Sequence, residues 1–365
     1  MASQQEQQAL PPRTKSILVL GAGELGLAML HAILAHPRFS PATTTRLTLL
    51  IRPRSLAHPT PAQQALQAEL RSRGVDIIAG DIEASSQAAL AALFAPFTAV
   101  IHAGGMTLPR GTVTKVTRAV LEARVPYYVP WQYGVDYDVI GREGGQGMFS
   151  EQIDVRELLR GQETTTTDWV IVSCGIFMSF LFEDFWGVVK RLPSPPASSS
   201  AIEGNRAAAA AAGREKIQIT ALNSWDDLIT TTTAADIGKC TAELLFTPDA
   251  PVNTPVYIAG DTLTYRELAD TIERAVADVD VGVDSEVVRQ VWPLGHLRAE
   301  SEADPGDMIK RYRVVFAEGK GLSWPKGEER TWSARQGFKM VGVDEYVRST
   351  FLPSLGGGRS HGEMR

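Results

Sequence analysis

Gly21, Gly23 and Gly26 stand in G-x-G-x-x-G spacing within GAGELG, directly after the apolar run Ile17–Leu20. In that pattern the first glycine makes a tight turn and the second lets backbone approach a pyrophosphate. The third lets a helix pack on a strand. The helix expected over Leu25–Ala35 offers N-terminal N–H groups and partial positive charge to phosphates. Gly21, Gly23, Glu24, Leu25 and Gly26 are therefore candidate dinucleotide-binding residues. A second apolar run, Leu47–Ile51, leads into Arg52-Pro53-Arg54. An NAD site usually carries Asp or Glu there for the ribose 2′-hydroxyl, an NADP site an arginine for the 2′-phosphate. No carboxylate follows closely in the sequence, and guanidinium forks suit phosphate. Arg52 and Arg54 thus favour NADP(H) over the alternative of two solvated surface arginines.

The elements that position these residues alternate regularly. Short apolar runs at Val75–Ala79, Ala99–His102, Tyr127–Val129 and Trp169–Ser173 read as strands, and the segments between the earlier ones have helical composition. This alternation predicts an α/β fold, a Rossmann-type doubly wound parallel sheet with right-handed crossovers and a smaller C-terminal substrate-binding region. Asp81, after the third strand, either touches the adenine end of a cofactor or caps the next helix near Ser85. Gly104 and Gly105 follow the fourth strand, where backbone can lie close to a cofactor. His102, at that strand's end, fits a structural role better than a catalytic one.

Beyond the fifth strand, Trp131–Gly147 is rich in Gly, Tyr and Asp and lies where a substrate-facing loop belongs. Met148–Arg160 reads as a helix. Phe177, Phe180, Phe182, Phe185 and Trp186 form an aromatic stripe that is either core or the lining of an apolar substrate site. Thr264 with Glu267 three residues on makes a capping box for a helix to Val276. The expected division is a leader at 1–15, a Rossmann domain at 16–175 with elements returning at 216–260, and a mainly substrate-binding region at 176–355. A low-complexity loop at 194–213 and a flexible tail at 356–365 complete it.

The chain has 365 residues, 44% apolar and 21% charged, with net charge −6. These values argue against general affinity for nucleic acid or an anionic membrane. Two cysteines, Cys174 and Cys240, cannot build a disulfide framework, and no Cys/His spacing suggests a metal. A polar N-terminus and the absence of a long apolar run point to the cytoplasm.

Taken in order, GAGELG, LLIRPRS, GVDIIAGDI, VPYYVPWQYGVDYD and TDWVIVSCGIFMSFLFE resemble the isoflavone-reductase-like and NmrA-like atypical short-chain dehydrogenases. The fungal, CipA-type branch is most similar, through PWQYGVDYD and FSEQIDVRELLR, and the resemblance spans roughly 16–280. It implies an NADPH/NADP⁺-binding reductase of aromatic or conjugated small-molecule metabolites, monomeric or homodimeric, with Gly21, Gly23, Gly26 and Arg52 at cofactor positions. In that family a lysine in the pattern F-x-x-K-x-x-x-R contacts the nicotinamide ribose and serves proton transfer. Here Phe149 and Arg156 match, but the lysine position is Gln152, which cannot titrate. No other lysine lies between Lys115 and Lys190. Tyr133, Tyr137, Asp136, Asp138 and Glu151 are the other candidates for a proton donor, Tyr133 first. Tyr137, Phe177, Phe180 and Phe182 are candidate substrate contacts. The missing lysine leaves two alternatives to a reductase: a non-redox cyclase, isomerase or dehydratase, and an NADP(H)-sensing regulator.

Overall fold

The computed structural model of the 365-residue chain describes residues 16–40, 45–105, 107–192, 216–279 and 287–356. The expected leader at 1–15, the low-complexity loop at 194–213 and the tail from 357 onward lie outside the described residues. The described residues fall into two compact units. One lies within 1–132, 154–172 and 237–256, the other within 133–153, 173–236 and 257–365.

The first unit is organised by a sheet containing β1 (Ser16–Leu20), β2 (Arg46–Ile51), β3 (Val75–Ala79), β4 (Ala99–His102), β5 (Tyr127–Val129) and β6 (Asp168–Ser173). Their order is β6-β5-β4-β1-β2-β3, every neighbouring pair is parallel, and Thr254–Tyr257 adds a seventh strand beyond β6. This is the doubly wound arrangement expected from the alternation of strands and helices. Ile17–Leu20 are completely buried, which explains why β1 is a continuous apolar run rather than an alternating one. Each such side chain contributes about 1.5–3 kcal/mol by leaving water.

Helix α1 (Glu24–Ala35) carries the chain from β1 to β2. The helix Pro61–Ser72 follows β2, started by Pro61 and by a capping box in which Thr60 and Gln63 exchange hydrogen bonds. Ser86 caps Gln87–Phe94 by accepting the Ala89 N–H at 3.2 Å. On one side of the sheet, Leu18, Leu20 and Val100 pack with Leu90, Phe94, Val113, Val116 and Val120. Elsewhere in this unit the helix Ala234–Phe246 crosses α1 backbone to backbone, since a Cβ at Gly238 would sit 2.5 Å from the Ala28 carbonyl oxygen. The reversal of strand order between β1 and β4 opens the crevice where such sheets bind ligands.

The second unit has two three-stranded sheets. In one, Leu228–Thr232 pairs parallel with Ile176–Phe177 and antiparallel with Asp261–Thr264. In the other, Lys216–Leu222 pairs antiparallel with Val189–Leu192 and parallel with Val288–Trp292. Residues 216–236, expected with the Rossmann sheet, thus pair within the second unit, while 237–256 belong to the first. Residues 133–153 also group with the second unit. The helix Tyr265–Ala277 starts with the expected capping box: Thr264 accepts the Glu267 N–H at 3.1 Å, and Glu267 accepts the Thr264 N–H at 2.8 Å. Its buried face joins Trp186, Ile217, Ile219, Phe316 and Phe351 in one apolar core. Among the described residues no helix is long and apolar enough to cross a membrane.

Candidate functional site

The glycine turn closes on the start of the β4 loop. Gly21 has φ +101°, and its N–H donates to the Leu50 carbonyl at 3.2 Å. A Cβ on Gly21 would lie 3.2 Å from the Ala103 oxygen and 3.4 Å from Gly104 Cα. The Ala103 N–H donates to the Leu20 carbonyl at 3.1 Å. Both loops therefore stay tight against the strand ends. Gly26 meets Gly21 so closely that a Cβ there would overlap the Gly21 carbonyl oxygen. This seats α1 on the strand it follows.

Gly23 is different. It is exposed, extended at φ −76° and ψ −172°, and the N-cap of α1 without a side-chain hydrogen bond. Nothing lies within 4 Å of where its Cβ would point. Gly23 stands at the positive end of a 12-residue helix, whose unpaired N–H groups attract anions. Glu24 is exposed in the first turn, whereas Leu25 is buried, so only its backbone is available to a ligand. Gly105 is open, with its nearest neighbours at 3.9 Å, while Gly104 rests on the His102 ring. His102 is fully buried with both ring nitrogens shielded from solvent, and burial pushes its pKa down to about 3. It is a neutral packing residue under the Gly104 backbone.

Arg52 directly follows β2 and is the N-cap of the short helix Pro53–Ala57, on which Arg54 also stands exposed. The Arg52 guanidinium is 70% exposed and lies 3.7 Å from the Glu83 carboxylate. Asp81 does not cap the next helix, which Ser86 caps instead; its Oδ1 accepts the N–H groups of Glu83 and Ala84 in the preceding turn, each at 2.9 Å. The Ala84 hydrogen bond above all holds its carboxyl below the usual range. Glu83 is a neighbour of Arg52 that reading along the chain missed, because it arrives from the end of β3.

In the second unit Tyr133 is buried, 6% exposed, with its hydroxyl shielded from solvent. Tyr137 packs on Phe149 at 4.9 Å, and Phe149 meets Tyr312 edge-on at 5.5 Å. Asp136 is 4% exposed, and its Oδ2 accepts the Tyr257 hydroxyl at 2.6 Å and Arg330 Nη2 at 3.2 Å. The Arg330 guanidinium lies over the Tyr257 ring, 3.6 Å from its centre. With its N–H on the Gly321 carbonyl at 2.8 Å, Asp136 ties its loop to the C-terminal segment. That occupation makes it a structural acid. Asp138 is exposed, and Gln152 and Glu151 are half-buried in the first turn of the helix Ser150–Arg160.

The aromatic stripe divides. Phe180 packs on Phe185 and Trp186 at 5.2 and 5.1 Å, while Phe182 packs on Tyr346 and Phe351 at 5.2 and 4.6 Å. Trp186 is completely buried, and Phe177 is half-buried opposite Thr232. Phe180 and Phe182 thus border the apolar core at separate neighbours. Among the described residues no group of three or more His, Cys, Asp or Glu is placed to hold a metal ion.

The sequence profile of the NmrA-like family matches residues 13–297. The chain belongs to that family. A relative from Gibberella moniliformis (strain M3125 / FGSC 7600), an NmrA-like family domain-containing oxidoreductase, is 37% identical over 337 residues, covering 92% of this chain and 98% of its own. Among solved structures, an isoflavone reductase aligns with TM-score 0.66 at 17% identity over 92% of this chain and 99% of that one. The binary complex of leucoanthocyanidin reductase with NADPH from Vitis vinifera aligns with TM-score 0.65 at 17% identity, over 93% and 99%. Both share the fold.

Proposed function

We propose that the protein is an NADPH-dependent reductase of an aromatic or conjugated small molecule. The observation that carries this reading is the open approach to the Gly23 backbone, framed by the Gly21–Gly26 contact, with Arg52 just past the end of the neighbouring strand. The NADPH bound to the leucoanthocyanidin reductase of the same fold and the oxidoreductase description of the family relative support it. In this reading Gly21, Gly23, Gly26 and the first amides of α1 hold the pyrophosphate. Arg52, aided by Arg54, holds the 2′-phosphate, and Gly104 and Gly105 let backbone approach the cofactor. When bound, the cofactor supplies the hydride for an electron-poor carbon. The protein orients the two partners, excludes water and delivers one proton to the resulting enolate or alkoxide.

Tyr133 is the proposed proton donor, since a phenol can give up a proton and Gln152 cannot. Gln152 serves by hydrogen bonding through its amide. The substitution at the lysine position is also what favours a second reading, in which the cofactor is sensed or held without hydride transfer.

NADPH deuterated stereospecifically at nicotinamide C4 tests both readings, offered with isoflavones, enones, quinones and phenylpropenes. Deuterium in a product supports the reductase. Product without deuterium, or without NADPH, points to a non-redox enzyme. Tight NADPH binding with no product across the panel counts against reduction and for sensing.

A further inference from the structure

The sequence after β2 offers Arg52 no nearby carboxylate, but the fold brings Glu83 to it, with Asp81 close enough to feel its charge. Glu83 lies two residues beyond Asp81, in a turn that is pinned from two sides. Asp81 Oδ1 accepts the Glu83 and Ala84 N–H groups at 2.9 Å, and the Ser85 N–H donates to the Asp81 carbonyl at 2.9 Å. From the other side, Lys115 Nζ donates to the carbonyl oxygens of Glu83 and Ser85 at 2.7 and 2.9 Å. The backbone of Glu83 is therefore fixed, and its carboxylate lies 3.7 Å from Arg52 Nη2. That separation exceeds the usual N–H···O limit of about 3.2 Å, so the two attract as charges without forming a close hydrogen bond. Both side chains remain open to a ligand, with 70% of Arg52 and 36% of Glu83 exposed.

We propose that Glu83 is a specificity-determining residue that narrows the preference for NADPH over NADH. The inference rests on the reading of Arg52 as the 2′-phosphate residue. A 2′-phosphate drawn to Arg52 competes with the Glu83 carboxylate for its charge and then sits beside that negative charge. Both effects fall only on the phosphorylated dinucleotide, because a ribose 2′-hydroxyl carries no charge. Arg54, two residues on, and Lys115, at the turn, supply further positive charge, but Lys115 is engaged with the two carbonyls.

The test is a charge series on the full chain, with dissociation constants for NADPH and NADH measured by calorimetry at low and high salt. Glu83→Gln should bind NADPH roughly two- to fivefold more tightly, and Glu83→Lys more tightly again, with NADH moving less than about 1.5-fold. High salt should compress the series. Melting temperatures of the variants separate binding changes from misfolding. An unchanged NADPH constant in Glu83→Gln, or an equal shift for both cofactors, overturns the proposal. Arg52→Ala keeps the two readings apart. If it weakens NADPH selectively while Glu83→Gln is silent, only the Glu83 role fails. If it weakens NADPH and NADH equally, or if neither cofactor binds the wild-type chain, the Arg52 reading fails and the Glu83 role with it.

Discussion

Alanine at Gly23 separates cofactor binding from stability, and alanine at Gly26 does not. At Gly23 the backbone is at φ −76°, a conformation alanine adopts freely, and no atom lies within 4 Å of the new methyl. Alanine is a poorer N-cap than glycine by about 0.5–1 kcal/mol, which is offset by about 0.4–1 kcal/mol from a less flexible unfolded chain. The melting temperature of Gly23→Ala should therefore stay within about 3 °C of wild type. The methyl nevertheless occupies the space read as the pyrophosphate site. Losing one or two charge-assisted hydrogen bonds there costs about 2–4 kcal/mol, or roughly 30- to 1,000-fold in Kd.

At Gly26 the methyl would overlap the Gly21 carbonyl oxygen, which is backbone and cannot rotate away. The helix must lift off the strand, at about 1–3 kcal/mol or more, so Gly26→Ala should lose stability and cofactor together. The assay is NADPH titration beside thermal melting for both variants. NADPH binding by Gly23→Ala within about threefold of wild type would refute the placement of the pyrophosphate. A wild-type melting temperature for Gly26→Ala would refute the backbone contact.

Further outcomes follow from the packing and the buried polar groups. Asp136→Asn should cost about 2–3 kcal/mol in urea unfolding, because Tyr257 and Arg330 lose their charged acceptor. A double-mutant cycle with Tyr257→Phe should show coupling above about 0.5 kcal/mol, and strict additivity would contradict the network. Trp186→Ala should cost about 3–5 kcal/mol, since the ring is completely buried against Phe180 and Phe316. Phe185→Ala, at a half-exposed ring on the same stripe, should cost less than about 1 kcal/mol by the same measurement. The imidazole of His102 is held at about 3 when folded against an ordinary value of 6.5, so below about pH 6.5 the unfolded chain binds a proton the folded one refuses. Stability is then full above that pH and falls on acidification, by about 1.4 kcal/mol between pH 7.5 and 5.5. Unfolding at the two pH values should show that extra loss in wild type and not in His102→Gln; equal losses would count against it.

The parallel sheet was legible because its signals are local. A strand buried on both faces must be apolar throughout, as Ile17–Leu20 is, and the glycine turn sits between that strand and its own helix. The second unit hides its signals. Ile176–Phe177 is a two-residue strand, and Val189–Leu192 reads VKRL, with Lys190 exposed and Arg191 half-buried. Lys216–Leu222 finds its parallel partner at Val288–Trp292, across three strands, two helices and residues outside the described structure. Nothing in 216–222 says which sheet it joins, so its expected return to the Rossmann sheet followed the alternation and missed the pairing.

The same limit applies to charge. Arg52 has no carboxylate close in sequence, whereas Glu83 comes to it from the turn after β3, the strand parallel to β2. In a doubly wound sheet, the residues that decide which ligand binds stand at the ends of neighbouring parallel strands. Their spacing in sequence is then one crossover, 31 residues from Arg52 to Glu83 and 194 from Asp136 to Arg330 where a different unit is stitched together. Charge partners of a residue at such a strand end therefore come from neighbouring strand ends as well as from its own stretch of chain. Pairing the end of β2 with the end of β3 puts Gly80 and Asp81 beside Arg52, and the turn that Asp81 closes then brings Glu83 to it.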